Sequence, residues 1–513
     1  MKMKFLNIIL IISFHQVNGV SYSIPAHLIP CYRKSYQDQL NKPPLNIQLL
    51  IELIRKFEFK KQNAINMRMF TTSLLHSTRY DGVMYTPGLP ETEFTIPYRA
   101  NGKQFYKFKL LVDYMISGKP ELILDELDSV KDLCILHEII SSTTQIYPGR
   151  DGNLCAKMKD VTYKGVDDLL QDCCCFVEGG VVNTKWGVIS PGHIIAGVAA
   201  ALQEMSMEMQ ELVPIIQKKS NQTKNNFEYT GSINNVRIAT IAGDLGELTL
   251  QQAFHKPQFG NYGLWNDTLL PRIYYLPDIR YEMTSAELLG GIDGAIFAEN
   301  IKIWRSTIRR TRLSQLIDMY YSKRGIVFDN AYRACDRKSN LRRILEKYNL
   351  TEDTYKAANL LNEVSDLTWN PEPTSLLKYA EVVTAGFQKE AESQTTKYSD
   401  CNIQTYQVQP LEVLTIFDES WTRYEIEVFL GPLTEAIDLG FYGSSLGIIN
   451  SESATWFTNV TDSLVQLYDD IYQSKHMSEN MAKPTIKTNE EAGEEEDEEE
   501  EEEKVPEISN SSY

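Results

Sequence analysis

Cys173-Cys174-Cys175-Phe176-Val177-Glu178-Gly179-Gly180-Val181-Val182, continuing through Lys185-Trp186-Gly187-Val188-Ile189 into Ser190-Pro191-Gly192, is the stretch around which the chain reads. It joins a cysteine triplet, a Gly-Gly turn signal and a tryptophan to a helix start. Ser190 suits the N-cap, where its hydroxyl accepts from a free N–H of the first turn, and Pro191 suits the first helical position, where a missing N–H costs nothing. Ile194-Ile195-Ala196-Gly197-Val198-Ala199-Ala200-Ala201-Leu202 is apolar on every face, which predicts a helix buried all round whose small residues let neighbours approach. From Gln203 the pattern turns amphipathic, with Met205, Met209 and Leu212 opposed by Glu204, Glu208 and Glu211, and Pro214 is expected to stop it. The apolar run is far shorter than the roughly 20 residues that a membrane span needs.

Adjacent cysteines do not bond one another comfortably, because a disulfide wants Cα atoms roughly 4.4 to 6.8 Å apart. In an extended strand Cys173 and Cys175 face one side and Cys174 the other. Each is therefore expected to take a distant partner, making the triplet a hub. The full set is Cys31, Cys134, Cys155, Cys173, Cys174, Cys175, Cys335 and Cys401, an even number that favours disulfides in an oxidising compartment.

That compartment is indicated by the first residues. Met1-Lys2-Met3-Lys4 is a basic start, Phe5 to Ile12 a short apolar core, and Val17-Asn18-Gly19 supplies small residues for cleavage, so residues 1–19 read as a signal peptide. No later segment predicts a membrane span, and secretion is the expected outcome. Sequons begin at Asn221, Asn266, Asn349, Asn459 and Asn510; the first four are the expected glycan positions. The net charge of −18 is uneven. Thirteen acidic residues against Lys504 between Glu490 and Glu507 give −13 + 1 = −12, which leaves −18 + 12 = −6 for the remainder.

The expected fold is mixed α/β and helix-rich. Residues 20–150 read as a mostly helical region, with helices over Leu45–Arg55 and Val130–Ile140. Residues 151–347 read as a disulfide-linked mixed α/β domain around the triplet. There Val236 to Ala242 is expected as a strand, Gly243-Asp244-Leu245-Gly246 as a turn, and Thr284-Ser285-Ala286-Glu287 as a capping box opening a short helix that ends at Gly290-Gly291. Residues 348–400 are helical, residues 401–475 a small strand-helix-strand unit, and residues 476–513 a disordered acidic tail.

Several catalytic patterns fail on their context. His137-Glu138-Ile139-Ile140-Ser141 lacks the second histidine of a zinc helix. Gly443-Ser444-Ser445-Leu446-Gly447 is followed by a strand pattern where a nucleophile elbow needs a helix. Gly243-Asp244-Leu245-Gly246 lacks the lysine of a phosphate loop. Leu411-Glu412-Val413-Leu414-Thr415-Ile416-Phe417 is a strand pattern running into Asp418-Glu419-Ser420-Trp421-Thr422, and a helical segment and a second strand follow. This order over residues 411–470 resembles the opening of a von Willebrand factor A-type domain. The resemblance implies a divalent cation held by Asp418, Ser420 and Thr422, whose oxygens are the kind hard cations prefer. The later threonine and aspartate of that family's site have no match in this chain.

From Lys302 to Lys347 thirteen basic residues face four acidic ones, 13 − 4 = +9. Arg309, Arg310 and Arg312, with Arg337, Lys338, Arg342 and Arg343, are the candidate partners of a sulfated or carboxylated polyanion. In a secreted protein that polyanion is a glycan rather than nucleic acid. The function expected from the sequence is therefore a secreted, non-catalytic glycoprotein that works by binding a glycan or a protein, with no cofactor beyond a divalent cation. The alternatives are an enzyme with an unrecognised site and a luminal calcium-binding protein that uses the acidic tail.

Overall fold

The computed structural model describes residues 24–473 apart from 38–44, 61–64, 86–88, 94, 101–102, 125–128, 143–179, 204–205, 221–228, 256–282, 309–310, 324, 330, 366–370, 402–409, 419 and 442. The expected signal peptide and acidic tail, Cys155, Cys173, Cys174 and Cys175, Asn221 and Asn266, and Arg309 and Arg310 lie outside these residues.

The fold is mixed α/β and helix-rich, as expected. Helices α1 (Ile47–Lys60), α2 (Met67–Thr78), α3 (Lys103–Leu110) and α4 (Val130–Ile140) form the N-terminal part. A short antiparallel hairpin of β1 (Val83–Tyr85) and β2 (Tyr98–Ala100) interrupts them. Leu49, Leu50, Leu53, Ile54 and Phe57 of α1 are buried at helical spacing, which is why this segment is a helix. The described part of the hub sequence begins at Gly180 and forms the hairpin β3 (Val182–Thr184) and β4 (Gly187–Ile189), followed by α5 (Pro191–Ala201). Every residue of α5 is buried, as its composition predicts. Pro191 holds the first position, but the Ser190 hydroxyl makes no cap bond and is buried without a partner among the described residues.

Three local expectations in this part are corrected. The chain leaves α5 after Ala201, forms β5 (Ser206–Glu208), and starts α6 at Met209 with Pro214 inside it (Met209–Ser220). β5 pairs with β6 (Ser232–Asn234), and residues 235–240 are the helix α7 (Asn235–Thr240) rather than a strand. The cause is a cap: Asn234 Oδ1 accepts from the N–H groups of Val236 and Arg237 at 2.9 and 3.2 Å. Gly243-Asp244-Leu245-Gly246 lies inside the helix α8 (Ala242–His255), not in a turn. Its Gly246 lets α8 meet α12 (Leu350–Val364), since a Cβ there would stand 2.6 Å from that of Ala357.

The capping box at Thr284 and Glu287 is present and opens α9 (Ser285–Thr307). This helix runs through Gly290-Gly291 for 23 residues rather than ending there. The glycines are contact points: a Cβ on Gly290 would lie 2.5 Å from the Ser190 carbonyl oxygen, and one on Gly197 would lie 2.6 Å from that of Gly294. The pair α5 and α9 thus meets backbone to backbone at the centre of the molecule. Helices α10 (Leu313–Tyr320), α11 (Arg337–Lys347), α12 and α13 (Pro373–Lys397) complete the middle.

At the C-terminal end β7 (Glu412–Phe417) runs parallel to β8 (Ser445–Asn450) across α14 (Arg423–Ala436), which is the expected strand-helix-strand order. A third strand, β9 (Trp456–Thr461), pairs antiparallel with β8, and α15 (Leu464–Gln473) follows. Phe417, Ile426, Leu430, Leu446, Ile448, Leu467 and Ile471 join the same apolar core that begins at Ile47, so this unit is packed onto the rest. Two carboxylates of α1 help hold the distant parts. Glu52 accepts from the Ser463 hydroxyl (2.5 Å) and the Leu464 N–H (2.8 Å) at the start of α15. Glu58 accepts from the Leu313 N–H (2.7 Å) and the Ser314 hydroxyl (2.5 Å) at the start of α10. Among the described residues no helix is long and apolar enough to cross a membrane.

Candidate functional site

The C-terminal end of β7 gathers the exposed groups with most recognition chemistry. Asp418 Oδ1 accepts from the Ser420 N–H at 3.0 Å and from the Ser420 hydroxyl, so the two residues form one tight turn. Those bonds hold the Asp418 carboxyl below its usual range, which keeps it ionised. Thr422 belongs to a different motif. Its hydroxyl donates to Glu425 Oε2 (2.8 Å) and accepts from the Glu425 N–H (3.3 Å), a reciprocal cap on α14. The three oxygens expected to hold a cation are thereby divided between a turn and a helix cap, and β7 is a half-exposed edge strand rather than a buried one. Between them stands Trp421, 39 % exposed, in an aromatic triangle with Phe417 (ring centroids 5.1 Å apart) and the 42 % exposed Phe429 (5.9 Å).

Of the expected polyanion-binding residues that are described, Arg337 does not lie on the surface with the others. Arg337 is buried and unavailable to any external anion: its Nε and Nη2 donate to the two oxygens of Asp293 at 2.7 Å each, and its Nη1 donates to the Trp186 carbonyl. Asp293 also accepts from the hydroxyls of Tyr320 (2.6 Å) and Tyr321 (2.5 Å). A helix-period reading would have found this, since Arg337 shares the inward stripe of α11 with Leu341 and Ile344. Arg312 lies over the Phe59 ring at 4.2 Å. Lys338 and Arg342 share Glu392 at 3.5 and 3.0 Å, and Arg343 reaches Asn340. What remains outward on α11 is a partly neutralised face.

A second buried network carries no motif signal. Lys107 pairs with Asp244 and lies 3.6 Å from Glu247, while His193 Nε2 meets the other Asp244 oxygen at 2.8 Å. Burial opposes the charge on Asp244, but Lys107 and His193 overcome it and hold that carboxyl well below its usual range. Glu287 accepts from the Thr284 N–H (3.1 Å) and the Gln104 side chain (3.2 Å). Burial, together with the negative charges of Asp244 and Glu247, pushes Glu287 up to about 7 against the pull of Lys107. The network ties α3, α5, α8 and α9 together. Lys107, Asp244 and His193 are all buried, which places the charge inside the packing.

His137 is likewise a core residue. Its Nε2 meets the Tyr32 hydroxyl at 2.5 Å, and its Nδ1 faces the Thr78 carbonyl and the Ser141 hydroxyl, both at 2.8 Å. Ser445 opens β8, so the G-x-S-x-G match has the strand context expected of it. Disulfides join Cys31 to Cys134 and Cys335 to Cys401. Four of the five cysteines outside the triplet are thus paired with each other, and the expected hub of Cys173, Cys174 and Cys175 lies outside the described residues. Among the described residues the one metal-type group is Cys335, Asp336 and Cys401, and its two sulfurs are the disulfide. Of the glycan positions, Asn349 is exposed and caps α12, and Asn459 is exposed on β9. Compared with protein-family models, curated proteins and solved structures, the chain matches none.

Proposed function

We propose that the chain is an exported glycoprotein that acts by binding, and that the turn at the end of β7 recognises a neutral glycan. The observation that carries this reading is the exposed Trp421 ring flanked by the ionised Asp418 and the Ser420 hydroxyl. An indole face gives the C–H side of a sugar ring an apolar platform, and a carboxylate beside it accepts from ring hydroxyls. The crest lies beyond the C-terminal ends of the parallel pair β7 and β8, where open α/β sheets offer a crevice. Asp418 and Glu425 would repel sulfates, so the preferred sugar is uncharged. The withdrawal of Arg337 into the core also removes weight from a polyanion site on α11.

The test is calorimetry and array binding of the full-length protein against neutral and sulfated oligosaccharides. Binding to neutral glycans should be lost in Trp421→Ala and weakened in Asp418→Asn, with thermal stability nearly unchanged because both side chains are outside the core. Equal binding by wild type and Trp421→Ala, or preference for sulfated chains, refutes the assignment.

A further inference from the structure

Among the described residues one face of the three-stranded sheet is exposed and largely apolar. β7 presents Leu414 and Ile416 outward (49 % and 62 % exposed), and β9 presents Trp456 and Val460 (47 % and 45 %). In β8 between them stands Gly447. A Cβ there would lie 2.8 Å from Trp456, 3.0 Å from Val460 and 3.3 Å from Leu414, so these three side chains close over the glycine as one patch. A contiguous apolar patch of this kind ordinarily has something to cover it.

The sequon Asn459-Val460-Thr461 runs through this patch. Leu446 faces Thr461 and Ile448 faces Thr458, so Asn459 and Val460 together stand opposite Gly447 in a bulge. In an unbroken strand adjacent residues alternate between faces, and one of the two would be turned inward. Here Thr458 and Thr461 are buried while Asn459 and Val460 are both exposed. The bulge therefore aims the asparagine onto the apolar face, three residues from Trp456.

We propose that an N-linked glycan on Asn459 is the cover: its first sugars lie against Trp456, Val460 and Leu414 and shield the sheet. Attachment replaces one Nδ2–H by a bond to the anomeric carbon of a lipid-diphosphate-linked oligosaccharide; the lipid diphosphate leaves and the proton passes to solvent. The proposal rests on the export reading, because only an exported chain meets that donor. Asn349 is the internal control. It too is exposed, but its amide donates to Glu352 at a helix start.

The experiment uses full-length protein secreted from eukaryotic cells, with site-resolved glycopeptide mass spectrometry, thermal melts and binding of an apolar fluorescent dye. Asn459 should be occupied, and Asn459→Gln should bind severalfold more dye and melt lower, whereas Asn349→Gln, which removes the α12 cap, should leave dye binding unchanged. Enzymatic trimming of the folded, glycosylated protein provides the same comparison without a substitution. Glycan at any other sequon with none on Asn459 overturns the proposal and leaves the glycoprotein reading standing; glycan at none of the five sequons overturns both. Unchanged dye binding after loss of the Asn459 glycan, or a dimer of the glycosylated protein that buries Trp456, shows a different cover and also overturns it.

Discussion

Substituting Asp293 by Asn tests what holds the middle of the molecule. Asp293 is fully buried and accepts four hydrogen bonds, two from Arg337 and one each from Tyr320 and Tyr321. Asn keeps the shape but removes the charge, and it turns an NH2 group toward donors. The guanidinium of Arg337, itself 1 % exposed, then has no counter-charge among its bonded partners. Removing one member of a buried pair costs about 3 to 5 kcal/mol, most of it the penalty of the stranded charge. For a chain of this size each kcal/mol lowers the melting temperature by about 1 °C, so a fall of roughly 3 to 5 °C is expected in calorimetry. Asp293→Asn combined with Arg337→Met should recover part of that loss, because the stranded charge has gone. A single mutant within about 2 °C of wild type, or a double mutant lower by the sum of the two single effects, would refute the reasoning.

Glu287 is held protonated in the fold up to about pH 7, whereas the unfolded chain ionises it near its usual value. The folded pKa is raised, so the contribution of this side chain to stability falls as pH rises through that window. Glu287→Gln keeps the cap acceptor and lacks this effect, so the melting temperature of the variant relative to wild type should climb between about pH 5 and about pH 7.5; a pH-independent difference would disprove it. Gly197→Ala drives a Cβ against the Gly294 carbonyl, and overpacking of that kind should cost about 1 to 3 kcal/mol or more in chemical denaturation. Reduction should lower the melting temperature clearly. Separate Cys31→Ala/Cys134→Ala and Cys335→Ala/Cys401→Ala pairs should each lose about 2 to 4 kcal/mol by releasing loops of 103 and 66 residues, and a pair with unchanged stability would count against that linkage.

The elements legible in the sequence were those whose signal is local. The Val130–Ile140 helix, the capping box at Thr284 and the strand-helix-strand order after Leu411 rest on spacing and on side chains that act within four residues. The failures had a common source in glycine and proline. Gly243, Gly246, Gly290 and Gly291 look like turn residues, yet they sit in helices because a partner backbone comes too close for a side chain. Pro214 looks like a stop and lies within α6. Arg337 was counted as surface charge because composition does not say which way a helix faces; its acidic partner is 44 residues away in sequence. Lys107 and Asp244 are 137 residues apart, so that pair has no local pattern at all. Trp421, by contrast, stands inside the Asp418-Glu419-Ser420-Trp421-Thr422 motif, but a cation pattern is defined by oxygens and says nothing of an aromatic ring.

The two carboxylates of α1 have a consequence for the order in which the protein is made. Glu52 and Glu58 leave the ribosome early, but their partners at Ser463 and Leu313 follow 411 and 255 residues later. Burial disfavours both charges, and the bonds from those late residues offset it. Until α15 has been synthesised, Glu52 therefore lacks the partners that offset its burial in the finished fold. Cys31 and Cys134 can close a bridge long before that moment. A nascent chain can thus close the Cys31–Cys134 bridge before the partners of Glu52 exist, so products cut short before Ser463 should hold α1 less firmly than the full chain does.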